Sequence, residues 1–361
     1  MDRIRELDGV RGLAAVVILI YHLRPGGTIP LGWAAVDIFF VLSGYLITTI
    51  ILKHMGSHGF LRAFYIRRGL RIWPPYLLAI AALVLLDGSI GDRLPLAYLP
   101  SFLTFTQGMP WLSPVETPFP SFFGHSWTLA IEEQFYLVWP ALLVIFRRRS
   151  VLPLAVAFLG LSLGARALGA HPYLLVSRCD GFAAGAILAS MLADPSFVLR
   201  HRNRLRWGFG ASAAIFLAVA AERLAGPSFG FPEIPGSTLL MLNLLFACLI
   251  GLMVLGSGSA ALALLRTRPI VYLGQISYGL YLYHALVYFV VFVTAQKLGF
   301  GASLGRDAVA FGLTFLSAAV SWRCLERPLL SLKDRFPYEA KITTSSARGR
   351  RSPLQELSPT T

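Results

Sequence analysis

The chain has 361 residues, of which 56% are hydrophobic and only 14% charged, with a mean hydropathy of +0.65. Soluble domains carry about 25% charged residues, so a chain this apolar is excluded from that class and fits one solvated by a bilayer. The 32 Lys and Arg against 18 Asp and Glu give a net charge of +14, which raises nucleic acid as a partner until the basic residues are followed along the chain.

Apolar stretches of spanning or near-spanning length fall at 9–24, 34–53, 72–88, 127–146, 151–168, 173–193, 207–224, 238–257, 270–295 and 305–325. They predict an all-α, polytopic membrane protein, a bundle of about ten transmembrane helices in a single domain over 1–336, with a disordered basic tail over 337–361. The apolar stretch 94–107 is short and bounded by Pro95, Pro100 and Pro110, which suits an interfacial or re-entrant segment. No small-residue cleavage site follows the first apolar stretch, so no cleavable signal is expected. With ten spans and a cytoplasmic N-terminus, 25 of the 32 Lys and Arg fall on the inner side. That asymmetry is the positive-inside pattern, so both termini are expected in the cytoplasm, at a multi-pass cell (inner) membrane. The charge is therefore topological, and nucleic acid is not an expected partner. Cys179, Cys248 and Cys324 lie in apolar segments without metal or redox spacing and read as packing residues; no metal site is expected.

In the first span Arg11 lies at the cytoplasmic mouth and His22 eleven residues later, about 16 Å deeper at the helical rise. Ionisable groups at membrane depth are usually functional, although lipid headgroups could also satisfy a histidine at a helix end. The run Arg67-Arg68-Gly69-Leu70-Arg71 at the start of the third span would anchor that helix. Arg68 and Arg71 also share a helical face and could grip phosphates. From Ser126 and Trp127 a helix enters from outside and puts Glu132 about one and a half turns down, at the depth inferred for His22. The two could meet across the bundle, unless Glu133, pointing about 100° away, is the inward carboxylate. Arg178 and Asp180 would each cost about 2.5–3.5 kcal/mol at a helix centre, which an internal ion pair or network offsets. His284 follows Tyr278 in a later span and lies near mid-depth. His54 and His58 have a metal-compatible spacing, but in a short basic loop they read as solvated. No P-loop, HExxH, G-x-S-x-G or dinucleotide fingerprint is present.

Taken in order, Arg11-x10-His22, the run Val36-Asp37-Ile38-Phe39-Phe40-Val41-Leu42-Ser43-Gly44-Tyr45, Arg68-x-x-Arg71, Ser126-Trp127-Thr128-Leu129-Ala130-Ile131-Glu132 and Ser277-Tyr278-Gly279-Leu280-Tyr281-Leu282-Tyr283-His284 resemble the acyltransferase-3 family of bacterial membrane O-acyltransferases. The likeness runs from residue 2 to about 328 and closes on Glu326-Arg327-Pro328. It implies a ten-helix bundle that moves an acyl group, usually acetyl, from cytoplasmic acyl-CoA, a co-substrate and not a bound cofactor. The acceptor is a hydroxyl of a glycan, lipid-linked sugar or small molecule. By motif, His22 corresponds to the catalytic histidine, Arg11 to its partner, and Arg68 and Arg71 to donor-binding arginines. Some members carry a fused extracytoplasmic hydrolase-like domain, for which this chain has no room. Asp37, Ser126, Trp127, Arg178, Asp180, Tyr278 and His284 are candidates for the substrate path.

These readings agree physically. Polyanionic CoA would sit on inner-face arginines with its thioester threaded toward His22, whose neutral imidazole can take the acceptor's proton. Glu132 would orient that ring or stabilise its cation, and an acyl-histidine intermediate is equally compatible. A transporter or flippase using the same buried charges is the main alternative, and a silent scaffold the second. Outer loops at 25–33, 89–126 and 225–237 are expected to choose the acceptor.

Overall fold

The computed structural model describes residues 4–23, 32–86, 98–109, 123–194, 236–338 and parts of 196–221. All regular structure among them is helical. The long helices are α1 (Arg5–Leu23), α2 (Ala35–His54), α3 (Phe60–Leu86), α5 (Trp127–Phe146), α6 (Val151–Ala167), α7 (Leu175–Leu192), α8 (Gly236–Leu255), α9 (Arg268–Lys297) and α10 (Leu304–Ser321). The short α4 (Leu99–Leu103) occupies part of the segment expected to be interfacial, and α11 (Arg327–Ser331) follows α10 through a π-helical turn at Trp322–Glu326. Seven of the described helices are long and apolar enough to cross a membrane. At 17 residues α6 is shorter, α1 carries Arg5, Glu6, Asp8 and Arg11 in its first two turns, and the stretch expected at 207–224 lies partly outside the described residues. The chain is thus a polytopic helical membrane protein; among the described residues seven helices have spanning length and apolarity, where ten spans were expected.

Side chains fix which helix ends lie together. At the basic end, buried Glu6 of α1 accepts from the Gly258 amide at 2.9 Å and from Ser257 at 3.2 Å, and pairs with Arg266 at 3.3 Å, fixing the start of α1 to the α8–α9 turn. At the same end Arg67 donates to the carbonyls of Lys333 and Phe336. At the other end of α1, the Tyr288 hydroxyl of α9 donates to the Leu19 carbonyl at 3.1 Å. Pro74, Pro75 and Pro140 lie inside α3 and α5, as membrane helices tolerate when neighbours satisfy the freed groups.

Two helix pairs pack backbone to backbone, as membrane bundles do where small residues line the seam. Gly274 of α9 lies against the Asp8 carbonyl of α1, and Gly185 of α7 against the Val41 carbonyl of α2, with no room for a Cβ in either place. Gly274→Ala and Gly185→Ala are each expected to destabilise the bundle by about 1–3 kcal/mol, lowering the unfolding temperature in detergent. Gly160→Ala, where nothing lies within 4 Å, is the neutral control. Equal melting of all three would refute this packing.

Beyond these pairs, Asp37 of α2 and Arg178 of α7 form an ion pair at 2.7 Å, with side chains 1% and 2% exposed. Asp180 pairs instead with Arg166 of α6 at 3.0 Å and accepts from Ser162 at 3.1 Å. The expected internal network exists, but Arg178 and Asp180, two residues apart on one helix, face different neighbours. Trp127 and Phe40 lie under the Arg178 guanidinium at 5.7 and 5.6 Å, and Trp127 stacks on Tyr173 at 4.7 Å. These candidates brace the α2–α5–α7 junction. Ser126 is likewise occupied, its carbonyl accepting from Gln107 Nε2 at 3.0 Å. Of the tail expected from residue 337, Tyr338 is ordered by His54, stacked at 4.4 Å, and by Arg67, 4.9 Å from its ring centre; residues 339–361 lie outside the described ones, as do most of the outer loops expected to choose the acceptor.

Candidate active site

Two adjoining cavities penetrate the bundle from the basic end. The outer vestibule, about 520 Å³, is walled by Arg11, Arg67, Arg68, Arg71 and Lys333 with only Asp8 and Glu326 to oppose them, and by His54, Trp322 and Tyr338. An excess of five basic over two acidic side chains makes it a site for a polyanion. Arg11, Leu46, Ile50, Arg68, Arg71 and Tyr278 also line the inner cavity, about 250 Å³, which runs past Ser43, Glu132, Tyr136 and Ser277 to Thr128 and Tyr281. The Tyr278 hydroxyl is held on the Ile72 carbonyl at 2.9 Å where the two cavities meet. Arg68 is positioned over the Tyr136 ring at 5.3 Å, a cation–π contact that turns its charge toward the bore.

Glu132 is the inward carboxylate, but it does not meet His22. It accepts from Ser43 at 3.2 Å and from Tyr136 at 3.1 Å, while Ser43 and Tyr136 are joined at 2.8 Å. Its charged neighbours are Arg11 and Arg68. This corrects the expected His22–Glu132 contact. α1 ends at Leu23, so His22 belongs to its final turn, whereas Glu132 lies about one and a half turns inside α5, about 7.5 Å from its start along the axis. Glu133 turns outward and accepts from Trp73 at 3.0 Å.

What His22 does meet is histidine. Its ring centre lies 4.8 Å from His284, and His284 lies 4.6 Å from His125. His125 stands in the 3₁₀ turn Gly124–Ser126 that precedes α5. Tyr281 clamps that turn, donating to the His125 carbonyl at 2.8 Å and meeting Thr128 at 2.5 Å. Tyr281 and Thr128 are also the inner wall of the cavity, so the bore ends against the histidine cluster. Sequence reasoning passed over His125; a histidine opening a span whose other end is basic was the available signal. No group of three metal-binding side chains suited to an ion occurs among the described residues.

A bore with a basic mouth, backed by imidazoles beyond Thr128 and Tyr281, suits an enzyme acting within the bilayer. The family model described as an acyltransferase domain matches residues 4–325, and the chain belongs to that family, acyltransferase-3. It is 26% identical to the peptidoglycan O-acetyltransferase OatA of Listeria monocytogenes, over 90% of this chain and 55% of that protein. To YrhL of Bacillus subtilis it is 28% identical, over 90% of this chain and 54% of that one. The chain thus spans about half the length of the curated relatives it matches. No solved structure matches it.

Proposed function

We propose that the protein is a membrane O-acetyltransferase that carries an acetyl group from cytoplasmic acetyl-CoA to a hydroxyl of a cell-envelope glycan. The observation that carries this reading is the continuity of the two cavities from the arginine-rich vestibule to the histidine end. CoA phosphates suit Arg67, Arg68, Arg71 and Lys333, and the pantetheine arm suits the narrower bore. That arm is about four residue-equivalents long, roughly 14 Å extended. The rise of α1 from Arg11 to His22 is about 16 Å, so a thioester held by phosphates at the mouth reaches the inner wall of Thr128 and Tyr281, just short of the level of His22. The name of the Listeria relative supports a glycan as acceptor.

In the reaction the acceptor O–H gives its proton to His22 Nε2 as its oxygen bonds the acyl carbon. The C–S bond then breaks, and the proton passes to the departing thiolate. Arg11, within electrostatic reach of Glu132, offsets that one carboxylate and leaves Arg67, Arg68 and Arg71 for the phosphates.

The test is acetyl-CoA binding and turnover in nanodiscs. Arg68→Ala and Arg71→Ala should each weaken acetyl-CoA about tenfold to a hundredfold, the equivalent of about 1.5–3 kcal/mol for hydrogen bonds to a charged group. Lysine at either place should be intermediate, keeping the charge and losing the fork. Unchanged affinity in folded variants would reduce them to topological anchors. Movement of CoA across the bilayer without acetyl transfer would establish the transporter instead.

A further inference from the structure

The cluster of His22, His284 and His125 contains more imidazole than the reaction above uses. His22 and His284 spend the same nitrogen in the same way. His22 Nδ1 donates to the Ile18 carbonyl at 2.9 Å, one turn back on α1, and His284 Nδ1 donates to the Tyr281 carbonyl at 2.6 Å, one turn back on α9. A carbonyl only accepts, so both Nδ1 atoms carry the proton, and in the neutral rings both Nε2 atoms are bare lone pairs. Nδ1 of each ring is thus spent on its own helix, which leaves Nε2 for contacts beyond it. His284 Nε2 is buried and has no hydrogen-bond partner among the described residues, and neither has either nitrogen of His125.

A buried acceptor without a donor costs free energy and calls for a physical reason. Two bare lone pairs on rings 4.8 Å apart are one proton short of a hydrogen bond. When His22 Nε2 takes a proton it becomes a donor, and with ring centres 4.8 Å apart the bare Nε2 of His284 is the acceptor at hand. In soluble hydroxyl-activating sites a carboxylate supports the imidazolium. Here Glu132 is held elsewhere by Ser43 and Tyr136, and the rings packed on the pair belong to Tyr21, His125, Tyr281 and Tyr288. A neutral base is also cheaper to keep at membrane depth than a second carboxylate.

We propose that His284 is the positioning partner of His22, sharing the proton that His22 removes from the acceptor and returning it for the thiolate. This rests on His22 as the base. Proton count closes: the acceptor O–H and the C–S bond break, the ester C–O and the thiol S–H form, and both imidazoles end neutral. His284 touches no substrate; it acts by keeping the His22 imidazolium from standing alone in an apolar site.

The experiment uses the full chain in nanodiscs with acetyl-CoA and de-O-acetylated peptidoglycan strands, following thiol release. His284→Asn retains an N–H for the Tyr281 carbonyl and removes Nε2. It should lower kcat about tenfold to a hundredfold, less than loss of the base itself, and leave the KM for acetyl-CoA within about twofold. The dependence of wild-type rate on the deuterium fraction of the solvent should be curved, from two protons in flight, and linear in the variant. His22→Ala combined with His284→Asn should be no slower than His22→Ala. A folded variant with wild-type kcat, or a linear isotope dependence in the wild type, overturns the inference alone; the wild-type measurement decides if the variant does not fold. A wild type that binds acetyl-CoA and releases no thiol overturns the transfer reading and this one with it.

Discussion

Replacing His22 with alanine is expected to lower acetyl transfer about a hundredfold to ten-thousandfold, the usual worth of general-base help, while acetyl-CoA still binds. The separation follows from the geometry. The basic vestibule lies at the start of α1, and His22 lies in its last turn, beyond the inner wall formed by Thr128 and Tyr281. Among the described residues the ring makes one hydrogen bond, to its own helix, so its loss strands no distant donor or acceptor there. The measurements are kcat with purified protein and calorimetric affinity for acetyl-CoA. A variant that keeps more than a few per cent of the rate would remove His22 from the chemistry. One that loses acetyl-CoA binding would make it a donor contact.

The second large effect belongs to Arg178, and it is one of folding. Arg178→Ala should cost about 3–5 kcal/mol, because it leaves Asp37 charged and without its ion-pair partner in the buried α2–α7 seam. Removing both charges, as in Asp37→Leu with Arg178→Leu, should recover much of that loss, since an apolar pair of similar volume replaces a buried ion pair without heavy penalty. Thermal unfolding of the two variants in one detergent makes the comparison. Should Arg178→Ala melt like the wild type and yet be inactive, the pair would move from the framework into the reaction path.

The bilayer-spanning class was written in the composition, because only a membrane accommodates so apolar a chain. The vestibule was legible too: Arg68 and Arg71 share a helical face by spacing alone, and both line it. Depth was read less well. The expected ends at 24 and 127 were right to a residue, yet Glu132, one and a half turns in from Trp127, was placed level with His22, one residue from the end of α1. Once α1 stops at Leu23 and α5 starts at Trp127, the histidine level is that of His125. Azimuth was not legible at all. Nothing in the spacing of Asp37, Arg178 and Asp180 says that the arginine turns to α2 and the aspartate to α6, since that choice is made by packing between helices whose Gly44 and Gly185 let the backbones touch.

The wall that Thr128 and Tyr281 draw across the inner end of the bore has a bearing on the energy economy of the cell. A membrane that stores work as a proton gradient cannot hold a continuous thread of water, for protons hop along such threads. The proposed reaction nevertheless needs an acyl donor admitted from one side to within reach of a hydroxyl from the other. Guanidinium groups at the entrance repel hydronium, and two hydroxyls closed on each other interrupt the thread where it would emerge. On the function proposed above, one bore would take a thioester and stop a proton.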